Sequence, residues 1–427
     1  MTVLLACTNL EDATPSNRTT FIKFYGGATS YTARLAQPDA DGGFIIAGKV
    51  ARPGAIVEAD GQILDTDIVV IKTDERGNKV WETLVDMGSA SALKIVADGY
   101  LIIGKGIEIN RDASQVSEQV NTTARLIKMD FSGKILSDIQ KDSSITRITQ
   151  VDTITQKVDF QGYAVNLTQD GNIITLTSYK VPGGQEKSVT TSLNSSLQPI
   201  WSKVYDLRNF DYVNAPSIHE TTGKNLLWAS TAYNTISLST SKSYLSIAYV
   251  VPNSTFDNNS LFGENDSRNY TASDIQPGAT GYGVVGTYAE PNGTAADLYF
   301  VQVDPAGNVL AGTEHYFDAE SLLTGEASAS EDSGDAITST NTGGYVLAGT
   351  IETTAKVGNG DRDIVLIKID AFGNVIWTRL FGGASDETVG SVKELADGTL
   401  LISGTASLGN ISSMFIMKTD KDGELKD

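Results

Sequence analysis

Self-similarity is the property of this chain that leaves it the fewest folds. Residues 363–383 read DIVLIKIDAFGNVIWTRLFGG, and residues 67–88 read DIVVIKTDERGNKVWETLVDMG. Asp67, Lys72, Asp74, Gly77, Asn78 and Trp81 align with Asp363, Lys368, Asp370, Gly373, Asn374 and Trp377. Each stretch follows a Gly-aromatic run, DGGFIIAGKV at 41–50 and TGGYVLAGTI at 342–351. A sentence repeated along one chain implies a repeated structural unit, and repeats override any domain count taken from length.

Weaker copies fill the interval. ADGYLIIGKG with ARLIKMD, QDGNIITLTS with LQPIWSKVYD, TTGKNLLWAS with SYLSIAYVV, and ATGYGVVGTY with DLYFVQVD mark the second to fifth units. A seventh opens with ADGTLLISGT and stops after SSMFIMKTDKDGEL. The apolar runs alternate at period two, are too short for helices, and are bounded by Asp-Gly, Gly-Gly and DxxGN turns, which reads as antiparallel strands. Four strands in a unit of about 50 to 60 residues is the pattern of a β-propeller blade.

Strand A precedes the Asp-Gly turn, B is GGFIIAG, C is DIVVIKTD and D is KVWETLV. The seventh unit lacks a strand D, and FIKFYGG at 21–27 matches WTRLFGG with Phe21 at the Trp377 position. The chain therefore reads as an all-β, seven-bladed propeller of four-stranded antiparallel blades closed by the N-terminal strand, which removes two exposed sheet edges. Six or eight blades remain open because the third and fourth units are degenerate. Residues 21–427 form this single domain, and residues 1–20 are a signal-peptide remnant and tether.

The Trp81, Trp201 and Trp377 series is read as filler between adjacent blades, and Asp67, Asp297 and Asp363 at the start of strand C as acceptors for neighbouring loop backbone. A-to-B and C-to-D connections are short, whereas B-to-C and D-to-A connections are long and varied, so recognition is expected on the long-loop face. One D-to-A segment is rich in acid, and Glu320, Glu331, Asp332 and Asp335, with Asp361 from a B-to-C segment, are the candidate partner-binding residues. Tyr288, Tyr233, Phe210 and Tyr212, near long-loop ends, are candidates for stacking on a glycan.

The 32 basic against 52 acidic residues give a net charge of −20, which repels nucleic acid. One Cys and two His, His219 and His315, exclude a disulfide framework or a Cys/His zinc site, and no GxSxG elbow accompanies either His. No cofactor is expected. DADGG (39–43) and NGDRD (359–363) space oxygen donors like calcium loops but lack the later bidentate Glu. No catalytic residue is assigned, because 52 acids guarantee chance carboxylate pairs.

Leu4-Leu5-Ala6-Cys7 resembles the lipobox of bacterial lipoproteins, with Cys7 as the acylated residue and the polar TNLEDATPSNRTT as tether. Glu11 and Asp12 resemble an acidic signal for export to the outer face of the outer membrane. The repeat itself resembles a group of bacterial secreted and lipid-anchored β-propellers. This resemblance implies a non-enzymatic, lipid-anchored protein at the surface of a Gram-negative bacterium, or at the periplasmic face. It would touch the bilayer only through Cys7 and dock an outer-membrane transporter or assembly complex. The alternative is a glycan-binding or glycan-cleaving propeller in polysaccharide uptake.

Overall fold

Alternating strands and tight turns build seven antiparallel sheets, each paired with its neighbours around a ring. The computed structural model describes residues 19–426 except 56–64, 112–117, 142–143, 149–152, 182–183, 206–209, 214–216, 235–241, 253–256, 265–266, 292–294, 327–329, 355–356 and 359–360. Cys7, Glu11 and Asp12 lie outside the described residues. Blades 1 to 6 occupy residues 31–85, 88–141, 159–205, 210–262, 269–317 and 332–381, and blade 7 begins at 387.

In blade 1, strands A to D are Tyr31–Pro38, Phe44–Ala51, Thr66–Thr73 and Lys79–Val85. Blade 7 draws three strands from Glu387–Glu394, Leu400–Leu408 and Ile411–Thr419 and its fourth from Phe21–Tyr25. Phe21 stands opposite Lys418, as Trp81 stands opposite Lys72 and Trp377 opposite Lys368. The seven-blade count and the N-terminal closure both hold.

Three loops carry more structure than the sequence reading gave them. The segment between blades 2 and 3 holds a hairpin, Ser144–Ile148 with Thr153–Lys157, where Thr and Ile alternate in SITRI and TITQK. In blade 2, strands B and C overrun into a long hairpin, Gly99–Arg111 against Glu118–Met129, that projects from the long-loop face. The acidic segment contains a helix, Ala319–Thr324, capped by Asp318, whose side chain accepts the Ser321 N–H. Blade 4, the degenerate unit, has a split innermost strand, Phe210–Val213 and Ile218–Glu220, both paired to strand B.

Each blade junction has its own apolar cluster. Ile46, Val69 and Ile71 of blade 1 pack on Met414 and Ile416 of blade 7, while Ile45, Ile68 and Val70 on the other side of the same sheet meet Tyr100 and Ile102 of blade 2. The period-two alternation of strands B and C thus feeds two interfaces at once, which is why these strands read as continuous Val/Ile runs.

The DxxGN turn serves the same docking. A Cβ on Gly77, Gly133 or Gly423 would lie 2.7 to 2.8 Å from Phe21, Trp81 or Trp377 of the preceding blade. Their φ values of 73°, 82° and 73° add a backbone reason for glycine. Trp81 also donates its indole N–H to Phe131 O at 3.2 Å. The repeat lysine reaches the Asp-Gly turn of its own blade, as Lys72 to Asp41 at 2.7 Å and Lys128 to Asp98 at 2.8 Å.

Two outcomes test this account. Gly423→Ala, with Trp377 in the way, is expected to lower unfolding free energy by about 1–3 kcal/mol in urea titrations, and by more than Gly409→Ala, whose φ of 68° is similar but which has nothing within 4 Å. Removing residues through Tyr25 exposes the edge of Ile411–Thr419, so light scattering is expected to show self-association that removal of residues 1–18 does not cause.

Candidate functional site

The inner edge of every blade is strand A, and its unpaired N–H groups would be orphaned without side-chain partners. Hydroxyls of the preceding blade supply them: Ala33, Ala272 and Gly334 donate to Thr405, Thr231 and Thr287 at 3.0 to 3.1 Å. Ala36 N–H likewise donates to Ser391 at 3.0 Å.

Strand A also carries a register shift, a β-bulge, at one equivalent place in six blades, between Ala33 and Leu35, Ala90 and Ala92, Gly162 and Ala164, Ala272 and Asp274, Gly334 and Ala336, and Val389 and Ser391. Six inner strands bulging at one level re-aim their side chains toward the axis. The result is a central cavity of about 490 Å3, lined by strand A residues of all seven blades and reaching the short-turn end at Pro38 and Ala40.

Charge enters this cavity from five blades, through Arg34, Lys94, Asp274, Asp335 and Lys393. Arg34 lies at the bulge level, where Asp274 and Asp335 offset the burial that pulls its guanidinium down. Asp274 ties three blades together, accepting from Ser217 Oγ at 2.6 Å, its own neighbour Ile275 N–H at 2.8 Å, and Ile337 N–H at 3.4 Å. Burial raises its pKa. Asp335 accepts from Thr350 Oγ1 at 2.7 Å and from Ser333 Oγ, and burial pushes it up to about 6.

The acids read from sequence as a partner surface divide. Asp332 is 1% exposed and Glu320 4% exposed, Asp335 faces the channel, and only Glu331 and Asp361 are exposed. Asp332 accepts from Ala319 N–H at 3.0 Å and Ser330 Oγ at 3.1 Å, and Glu320 accepts from Thr354 Oγ1 at 3.0 Å. These contacts turn Asp332 and Glu320 inward. Asp297, Asp318 and Asp332 bring carboxylate oxygens within 4.8 Å of one another. Burial, with Asp297 and Asp318 nearby, pushes Asp332 up to about 7.

The calcium-like spacing in residues 39–43 is used otherwise. Asp41 accepts from Gly43 N–H and Lys72, and Asp39 accepts Tyr100 OH at 2.5 Å. Asn359 of the second such stretch lies outside the described residues. At the start of strand C, Asp67 accepts Met87 N–H at 2.8 Å from the following loop, as expected, but Asp297 accepts Tyr288 OH at 2.6 Å.

Tyr288 is half-buried, edge-on to Tyr316 with ring centroids 4.6 Å apart. Tyr233, Phe210 and Tyr212 belong to blade 4, where Phe210 and Tyr212 stand opposite Asn234 and Ala232, so the four aromatics are split between two blades. His219 lines the channel, with Nε2 2.8 Å from Ile275 O. His315 fills the space beneath Gly373 at the junction of blades 5 and 6, and its ring stacks on Phe317.

Arg34, Asp274, Lys94 and Lys393 escaped the sequence reading. Their signal is a one-residue slip of alternation after a small residue, in TARLAQ, SASALK, TASDIQ and TVGSVK. No family model and no curated protein matches this chain. Among solved structures, a Trypanosoma rangeli sialidase in complex with 2,3-difluorosialic acid is similar at TM-score 0.47 and 10% identity over 92% of this chain. The match spans 54% of the sialidase, about half its length. Drosophila Semaphorin 1b, extracellular domains 1-2, is similar at TM-score 0.44 and 9% identity, over 93% of this chain and 86% of that one. Similarity at this level carries no functional argument.

Carboxylates with raised folded pKa bind more protons folded than unfolded, so they favour folding below about pH 4 and lose that contribution as pH rises through about 6 for Asp335 and 7 for Asp332. Thermal melts are expected to rise from pH 8 to pH 5. Asp332→Asn is expected to flatten that slope, removing on the order of 2–4 kcal/mol of pH dependence.

Proposed function

We propose that this protein is a non-enzymatic, lipid-anchored propeller on the outer membrane of a Gram-negative bacterium, whose long-loop face docks protein partners such as a transporter or assembly complex. The observation that supports this reading most is where the chain enters the ring. Phe21 pairs with Lys418 beside the last C-to-D turn, and Thr20 Oγ1 donates to Lys426 O at 2.9 Å, so the tether leaves from the short-turn rim.

An acylated Cys7 would then hold that rim toward the bilayer, on a tether reaching at most ~3.3–3.6 Å per residue. The long-loop face points away from the membrane. It carries the projecting blade 2 hairpin and exposed Glu331 and Asp361. Asp274 is held by donors from both neighbouring blades and Asp335 by hydroxyls of its own blade, which favours a wall-building role over proton transfer.

A glycan-binding or glycan-cleaving propeller is the second reading, favoured by Asp274 and Asp335 lining a cavity large enough for a sugar ring. In cells, Cys7→Ser is expected to abolish incorporation of labelled palmitate. Pull-downs from membranes are expected to recover a stoichiometric outer-membrane protein, at least about tenfold less of it with Glu331→Lys plus Asp361→Lys. Release of reducing sugar from polysaccharide that Asp335→Asn abolishes would replace the first reading with the second.

A further inference from the structure

The short-turn half of the central cavity gathers two lysines that have no carboxylate partner among the described residues. Across a chain with 52 acids and 32 bases, lysines such as Lys72, Lys79, Lys128 and Lys224 pair with carboxylates. Lys94 and Lys393 do not: among the described residues, neither side chain has a hydrogen bond or ion pair. They occupy equivalent positions on strand A of blades 2 and 7, on either side of Gln37 in blade 1. All three line the same cavity.

His219, on the blade 4 wall, joins them. Its Nε2–H donates to Ile275 O, and burial with both lysines nearby holds the ring down to about 4. Lys94 is half-buried and is itself held down by burial and by Lys393. At the bulge level Arg34 is balanced by Asp274 and Asp335, so the uncompensated positive charge is confined to the short-turn end. Lys393 is exposed, so this end is open to solvent.

We propose that this half of the cavity binds a small soluble multivalent oxyanion, a carboxylate or phosphate compound, held between Lys94 and Lys393. The anion relieves the repulsion between two converging ammonium groups, and a cavity screened by the blades strengthens each contact relative to water. The polar floor at Arg34, Asp274 and Asp335 suits hydroxyl-bearing ligands over apolar ones. The inference does not depend on lipid anchoring or on a protein partner.

Isothermal titration of the purified full chain with citrate and with inorganic phosphate tests it, with galactose as the neutral control. At least one anion is expected to bind 1:1 with Kd below about 1 mM, and the Lys94→Met plus Lys393→Met variant at least about tenfold more weakly. Lys94→Arg plus Lys393→Arg is expected to keep binding, and the single exposed Lys393→Met to weaken it while leaving the melting temperature unchanged. Absence of binding by both anions up to ~10 mM, binding of galactose as tight as theirs, or unchanged affinity in the double Met variant would overturn the proposal.

Discussion

Blade-on-blade docking is the interaction on which the whole molecule depends. No blade has a core of its own, because each sheet is two-faced and both faces are apolar; burial is achieved only where neighbouring sheets meet. A linear stack would leave two faces uncovered and two edges unpaired. The ring covers them all, and it closes because Phe21–Tyr25 pairs with Ile411–Thr419. Thr20 and Lys426 are joined across the same seam.

The repeat motif is the record of that docking. Gly and Trp of the DxxGN…W sentence meet between blades, the glycine of one receiving the aromatic ring of the one before. The strand-B Thr that follows Gly286 and Gly404 caps an inner-edge N–H of the next blade. These residues therefore recur for packing and satisfaction of polar groups. Trp81 and Trp377 pack against Gly133 and Gly423 of the following blade.

Variation between blades is concentrated where docking does not dictate the residue. At the channel, equivalent positions hold Gln37, Lys94, His219 and Lys393, and the bulge level holds Arg34 and Asp335. On the long-loop face, blade 2 extends a long hairpin, Gly99–Arg111 against Glu118–Met129. The short turns vary least, since their glycines and carboxylates are held by neighbours.

Blade number, strand order and the closing strand were legible in the amino-acid sequence because each rests on a local period and on a motif that aligns with itself. The Phe21 for Trp substitution is an example, confirmed by register opposite Lys418. The site was far less legible. Asp332 and Glu320 read as surface acids and are buried, because a six-residue helix and its cap turn them inward. Lys94, Lys393 and Arg34 lie far apart along the chain, and only closure of the ring brings them to one cavity. Periodicity is a property of neighbours in sequence, whereas the convergence of charge on an axis is a property of the closed circle.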